Sequence, residues 1–268
     1  IRLRESEKHP NNGFDIPGQI TWMFALTALI GAIIEWHHLG FNNPWIYGTL
    51  IFSGVIFLIF LWIENKAASP ILPLDLFRSS KFNTLVVLGS MLNYAYYGTV
   101  FVLSLYVQDV LHYSSLAAGM AFLPLTAGFI ISNLASGKLM AKYGTRVPIL
   151  FGLLLSILGF AGLLIAHADT PYWQLFLPFI TIPLGMGLAI PAITTTILAS
   201  VAKTRSGTAS AVFNTTRQTA GAMGVAIFGA MANGGMAAIV NAITVSSIIS
   251  TCGLLIIGVF VLRYLKAE

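Results

Sequence analysis

Long apolar runs alternate with short polar connections along the whole chain. Eight runs stand out, at Gly18–Trp36, Trp45–Ile63, Asn83–Val107, Leu116–Gly137, Val147–Ala166, Trp173–Ser200, Ala209–Met231 and Ala242–Tyr264. Each approaches or exceeds the ~20 residues that a helix needs to cross a hydrocarbon core. The connections carry turn chemistry, including Gly40–Phe41–Asn42–Asn43–Pro44, Ser69–Pro70, Ala168–Asp169–Thr170–Pro171 and Asn233–Gly234–Gly235. The pattern predicts an all-α membrane protein of eight transmembrane helices. The seventh span is the least apolar of them.

Charge sharpens this parsing. Alternate connections hold Arg2, Arg4 and Lys8; Lys66, Arg78 and Lys81; Lys138, Lys142 and Arg146; Lys203 and Arg205; and Arg263 with Lys266, 13 of the 14 basic residues. The intervening connections hold none, and Arg217 falls inside the seventh span. Cytoplasmic loops retain Lys and Arg, so both ends of the chain are expected on the cytoplasmic side of a plasma (inner) membrane. Trp36, Trp45, Tyr172 and Trp173 then fall at outer span ends, and Trp62 and Tyr264 at inner ends, where amphipathic rings suit the headgroup level.

Composition excludes a soluble enzyme. Charged residues are 9% of the chain, hydrophobic residues 57% and the mean hydropathy is +0.84, whereas soluble domains are about 25% charged. The net charge of +5 is spread over loops and does not form a nucleic-acid surface. No metalloprotease, nucleophile-elbow, phosphate-loop or dinucleotide motif occurs, and neither a cofactor nor a metal site is expected. Cys252, the one cysteine, lies in an apolar run and is expected to be a small buried hydrophobe. The first residue is Ile1, and the polar stretch Arg2–Asp15 does not have the form of a signal peptide. The chain is therefore expected to be part of a longer one.

Polar groups inside the spans are the candidates for function, since desolvating them is costly. In the third span Ser90, Asn93 and Tyr97 share a face by their spacing, and either line a binding cavity or hydrogen-bond between helices. Arg217, with Asn214 and Gln218 beside it, either makes a gate or coupling contact with an anion or carbonyl, or snorkels to the interface. Glu35, beside His37 and His38, reads as a solvated span end more readily than as a proton or metal site. The sixth span carries Pro178, Pro183 and Pro191, with Gly185 and Gly187 between. These are packing kinks or points of bending and binding. Phe122 and Met186 are candidates for adaptable apolar contact with a substrate. Gly128, Ser132 and Ser136, and Ala222, Ala226 and Ala230, form small-residue stripes suited to close helix packing.

Two stretches carry more. The loop Gly137-Lys138-Leu139-Met140-Ala141-Lys142-Tyr143-Gly144-Thr145-Arg146 resembles the loop signature of the major facilitator superfamily, Gly-x-Leu-Ala-Asp-basic-aromatic-Gly-basic-basic. Gly137, Leu139, Lys142, Tyr143, Gly144 and Arg146 match, and the acidic position is Ala141. The stretch from Gly207 to Gln218, running on to Gly221 and Gly224, looks like the segment leading into the penultimate helix of the 14-span drug:proton antiporter family. The resemblance implies two linker helices (18–63, after a cytoplasmic loop 1–17), a cytoplasmic loop 64–82 and a six-helix C-terminal half (83–265) built as an inverted repeat. It implies a missing N-terminal six-helix half, protons and a small lipophilic or cationic substrate as partners, and multidrug efflux by alternating access. An uptake or metabolite carrier and a non-transporting receptor or scaffold are the alternatives.

Overall fold

A computed structural model describes residues 15–40, 42–67, 70 and 72–264. The expected basic residues Arg2, Arg4, Lys8 and Lys266 lie outside the described residues, as do the side chains of His37 and His38. Among the described residues all regular structure is helical. The main helices are α1 (Ile16–Leu39), α2 (Pro44–Lys66), α3 (Ser80–Leu105), α4 (Ser115–Ala121), α5 (Leu123–Tyr143), α6 (Arg146–Gly162), α7 (Tyr172–Ala199), α8 (Ser206–Met231) and α9 (Met236–Tyr264).

Each expected span has its helix, and two are more complex than the hydropathy pattern implies. The fourth is divided at Phe122 into α4 and α5, where Pro124 sits in the first turn of α5 and lacks the donor a continuous helix would use. The third runs on past Leu105 through a π-helical turn, Tyr106–Val110, closed by the Leu111 amide donating to the Tyr106 carbonyl at 3.0 Å. Seven of the spans are apolar and long enough to cross a bilayer unaided. Helix α8 is not among them, and it sits where neighbours cover it: against α3 above all, with α1, α7 and α9 also in contact.

Side chains begin the helices as chemistry requires. Asp15, Asn43, Ser79 and Ser114 accept hydrogen bonds from exposed first-turn amides of α1, α2, α3 and α4. Gly144 ends α5 at φ +74°, a left-handed conformation natural to glycine, and its amide donates to the Met140 carbonyl.

The last six spans pack with internal symmetry. Exchanging α3, α5 and α6 for α7, α8 and α9 turns the α3–α8 contact into the α7–α5 contact. It turns α6–α7 into α9–α3, and maps α6–α9 and α3–α7 onto themselves. All of these pairs are in contact, as an inverted repeat of two three-helix units requires. Small residues let the helices approach. Ser132 and Ser136 of α5 donate to the Pro183 and Leu188 carbonyls of kinked α7, at 3.3 and 2.8 Å. Gly152 and Gly159 of α6 leave no room for a Cβ against α7. The stripe Gly128–Ser132–Ser136 is therefore a packing seam, as its spacing predicts.

Helices α1 and α2 form a hairpin, joined by the Ser53 hydroxyl donating to the Ala25 carbonyl at 2.8 Å and by the Trp22 and Phe60 rings 4.9 Å apart. The hairpin meets the bundle chiefly through α1 on α8. One expectation fails: Cys252 is exposed on the surface of α9. A small apolar thiol is as compatible with lipid as with protein, so its apolar surroundings did not reveal which side it faces.

At the basic end, Arg205 forms an ion pair with Asp75 across 130 residues of sequence. The hydrogen bond from Arg205 is the main reason that the Asp75 carboxyl titrates below its ordinary value, and its charge adds to this. A carboxyl with a lowered value contributes stability at neutral pH and loses it as pH falls through that lowered value. Both side chains are about half exposed, so screening limits the effect. Asp75→Asn should cost less than ~1 kcal/mol. Thermal unfolding at neutral pH should show a small deficit that high salt or acid erases. A deficit that survives both would point to a role other than charge.

Candidate functional site

The α3–α8 seam brings the sequence candidates together. Four aromatic or glycine pairings set its geometry: a Cβ on Gly89 would strike the Phe213 ring, on Gly221 the Tyr97 ring, on Gly224 the Tyr94 carbonyl, and on Gly229 the Phe101 ring. Tyr97 is thereby laid on α8 while remaining 43% exposed. Its ring meets Tyr96 edge-on at 5.3 Å, and Tyr96 lies 6.4 Å from Phe129 of α5. The result is an aromatic strip running from α5 across α3 to α8.

Arg217 stands one turn from Gly221 on the same helix. Its guanidinium lies over the Phe213 ring at 5.5 Å, and Nη2 donates to the Asn214 amide oxygen at 3.2 Å. The Nε donor is buried without an acceptor. A half-buried guanidinium with an unused donor can receive a carboxylate or carbonyl.

The other candidates take different places. Asn93 is buried, and its amide donates to the Gly89 carbonyl one turn earlier at 3.0 Å. The Ser90 hydroxyl is buried without a partner. Gln218 is exposed beside Arg217. Met186 is buried in the bundle core, and Phe122 packs its ring 5.2 Å from that of buried Phe179, so neither joins the Tyr96–Tyr97 strip. The expected loop Gly137–Arg146 is shorter than the sequence implies, since α5 runs on to Tyr143 and α6 starts at Arg146. Within the end of α5 Gly137 is unobstructed, Leu139 is half-buried and Lys142 lies over the Tyr143 ring at 5.0 Å, and at the start of α6 the Nε of Arg146 is buried without an acceptor. Among the described residues no group of three His, Cys, Asp or Glu side chains could hold a metal ion.

Two acidic residues at span ends gain a place that sequence reasoning missed. Glu64, buried at the end of α2, accepts the Leu72 amide at 3.0 Å. Asp109, in the π turn, borders a cavity between α1, α3 and α8. An acid in a connection set free of Lys and Arg was the available signal for Asp109.

A polytopic helical bundle with an inverted three-helix repeat, close glycine seams and polar side chains on its inner helices defines the class of secondary membrane transporters. The family model for the Major Facilitator Superfamily matches residues 18–225, and the chain belongs to that superfamily. It is a multi-pass membrane protein. It is 32% identical over 216 residues to the methylenomycin A resistance protein of Bacillus subtilis, a match covering 80% of this chain and 46% of that protein. It is 26% identical to the tetracenomycin C resistance and export protein of Streptomyces glaucescens, over 84% of this chain and 42% of that protein. The chain thus spans less than half the length of these relatives. A crystal structure of the nucleoside transporter NupG shares the fold, with a TM-score of 0.57 at 14% identity, over 92% of this chain and 66% of that one.

Proposed function

We propose that this chain is the C-terminal portion of a proton-coupled exporter of small lipophilic or cationic compounds, working by alternating access. The likeness to proteins named for drug resistance and export, over four-fifths of the chain, carries the reading. In it, α1 and α2 are the linker helices of a 14-span layout, and residues 83–265 form the second six-helix half. An N-terminal six-helix half supplies the rest of the cavity. The clustering of Lys and Arg at one end supports cytoplasmic termini in a plasma (inner) membrane.

The residues have distinct parts in this mechanism. Tyr96, Tyr97 and Phe129 offer aromatic faces to a flat or cationic cargo. Arg217 offers its part-exposed guanidinium to the carboxylate through which protons couple, a group assigned to the other half. No acidic residue lies deep within a described span. The glycine seams hold this six-helix half rigid while it rocks against the other.

Expression of the whole protein in a pump-deficient host tests this. Susceptibility to a panel of cationic dyes and antiseptics should fall several-fold, and a protonophore should abolish the protection. An unchanged panel in cells that carry the protein in their membrane would sink the proposal. Within it, Tyr97→Ala should change the ranking of compounds at constant protein level, and an unchanged ranking would remove Tyr97 from the cargo surface.

A further inference from the structure

Helix α9 carries a row of hydroxyls on the face it turns to the bundle. Ser246, Ser247 and Ser250 are wholly buried there, and Thr251 extends the row. On α3, Thr99 is buried as well. A Cβ on Gly253 of α9 would strike the Met91 side chain of α3, which sets the register of the two helices. They run in opposite directions, since α3 starts and α9 ends at the basic end of the bundle. At ~1.5 Å per residue, Thr99 lies roughly 12 Å beyond Met91 and Ser247 roughly 9 Å before Gly253, so their hydroxyls sit at nearly the same depth. Ala95, buried one turn before Thr99 on the same face, comes level with Ser250 in the same way and adds only a methyl group.

These hydroxyls are not used as helical hydroxyls ordinarily are. A buried serine or threonine in a helix can donate to a carbonyl three or four residues back, as Thr194, Thr196, Thr244 and Ser246 do. Among the described residues the hydroxyls of Thr99, Ser247, Ser250 and Thr251 have no partner. A buried hydroxyl without a partner is costly, and here four lie within about two helical turns of one another in depth. Buried polar groups that lack a protein partner are normally paired with ordered water. Water suits this set, because each hydroxyl can both donate and accept, and a buried water needs two to four such partners. A cation suits it poorly: no acidic residue lies deep within a described span to balance its charge.

We propose that Thr99, Ser247 and Ser250, with Thr251 at the edge, hold a small cluster of ordered water in the membrane-embedded core and so join α9 to α3 through exchangeable bonds. The site is independent of the export reading. Thr99 is two residues from Tyr97, about 200° around α3, and so faces away from the cargo surface.

A structure of the whole protein in nanodiscs that resolves bound water tests this. At least one water should lie within about 3 Å of hydroxyls from both helices. Hydroxyls turned back onto their own helices, Ser247 to the Ile243 carbonyl and Ser250 to that of Ser246, with no water between, would overturn the proposal. So would a metal cation coordinated by these oxygens. Thermal unfolding gives a second measure on mild variants. Thr99→Val and Ser250→Ala each remove one hydroxyl, and the two share no direct hydrogen bond, so shared water is what couples them. The shift in unfolding temperature of the double variant should differ from the sum of the single shifts by about 2 °C or more. Additive shifts would contradict a water-mediated joint.

Discussion

Gly224→Leu is expected to prevent the six-helix bundle from assembling. At this point the backbones of α3 and α8 touch: a Cβ on Gly224 would fall on the Tyr94 carbonyl, and one on Gly98 would lie 2.7 Å from the Gly224 carbonyl group. Ordinary overpacking costs about 1–3 kcal/mol because neighbouring side chains can move aside. Here the obstacle is main chain, so relief requires the helices to separate and the whole α3–α8 contact to loosen. The cost should exceed ~4 kcal/mol, in the range reserved for severe core defects and comparable to a large share of total stability. Gly137→Leu is the control, since no atom lies within 4 Å of its added Cβ. Detergent gel filtration and thermal unfolding should show a monodisperse, stable Gly137 variant and an aggregated or strongly destabilised Gly224 variant. Equal stability of the two would mean that the seam is not packed as described.

The second large effect is expected at Arg217, with the opposite signature. Its Nε is buried without an acceptor, and among the described residues its side chain has a hydrogen bond to Asn214 and the face of Phe213 as partners but no ion pair. Desolvating that cation therefore costs stability that its contacts do not recover in full. Arg217→Gln should leave thermal stability unchanged or slightly raised. Under the proposed mechanism it should lower proton-driven flux by about tenfold or more, equivalent to at least ~1.4 kcal/mol in the transport cycle. Arg217→Lys should not rescue it, because a compact ammonium cannot lie flat over the Phe213 ring and still present several donors in one plane. Full flux in Arg217→Gln would reduce Arg217 to a side chain that snorkels toward the interface.

The fold was largely legible from two independent patterns, apolar length and the alternation of basic loops. The second mattered most for α8, which fails the simple hydropathy test and was still recognisable because a missing span would reverse every later loop. Other features stayed hidden for a physical reason. In a bilayer, core and lipid are both apolar, so side-chain periodicity does not say which face of a helix turns inward. That is why the sequence points Cys252 to the interior, and why residue type alone does not say that Met186 sits in the core or that Phe122 packs against Phe179. Polar and small residues broke this degeneracy in part: Ser132 and Ser136 could be placed in a seam, whereas the approach of Tyr97 to α8 beside Arg217 needed the structure. The π turn has no simple sequence signature, and with it went the place of Asp109 beside the cavity.

The complete protein should exchange protons for lipophilic cations, and proteoliposomes test this most directly. With a pH gradient imposed across the vesicle membrane, a labelled lipophilic cation should move against the direction of proton flow, and the movement should stop when the gradient is collapsed. Cation movement that ignores the gradient, or that runs in the same direction as the protons, would contradict such an exchange.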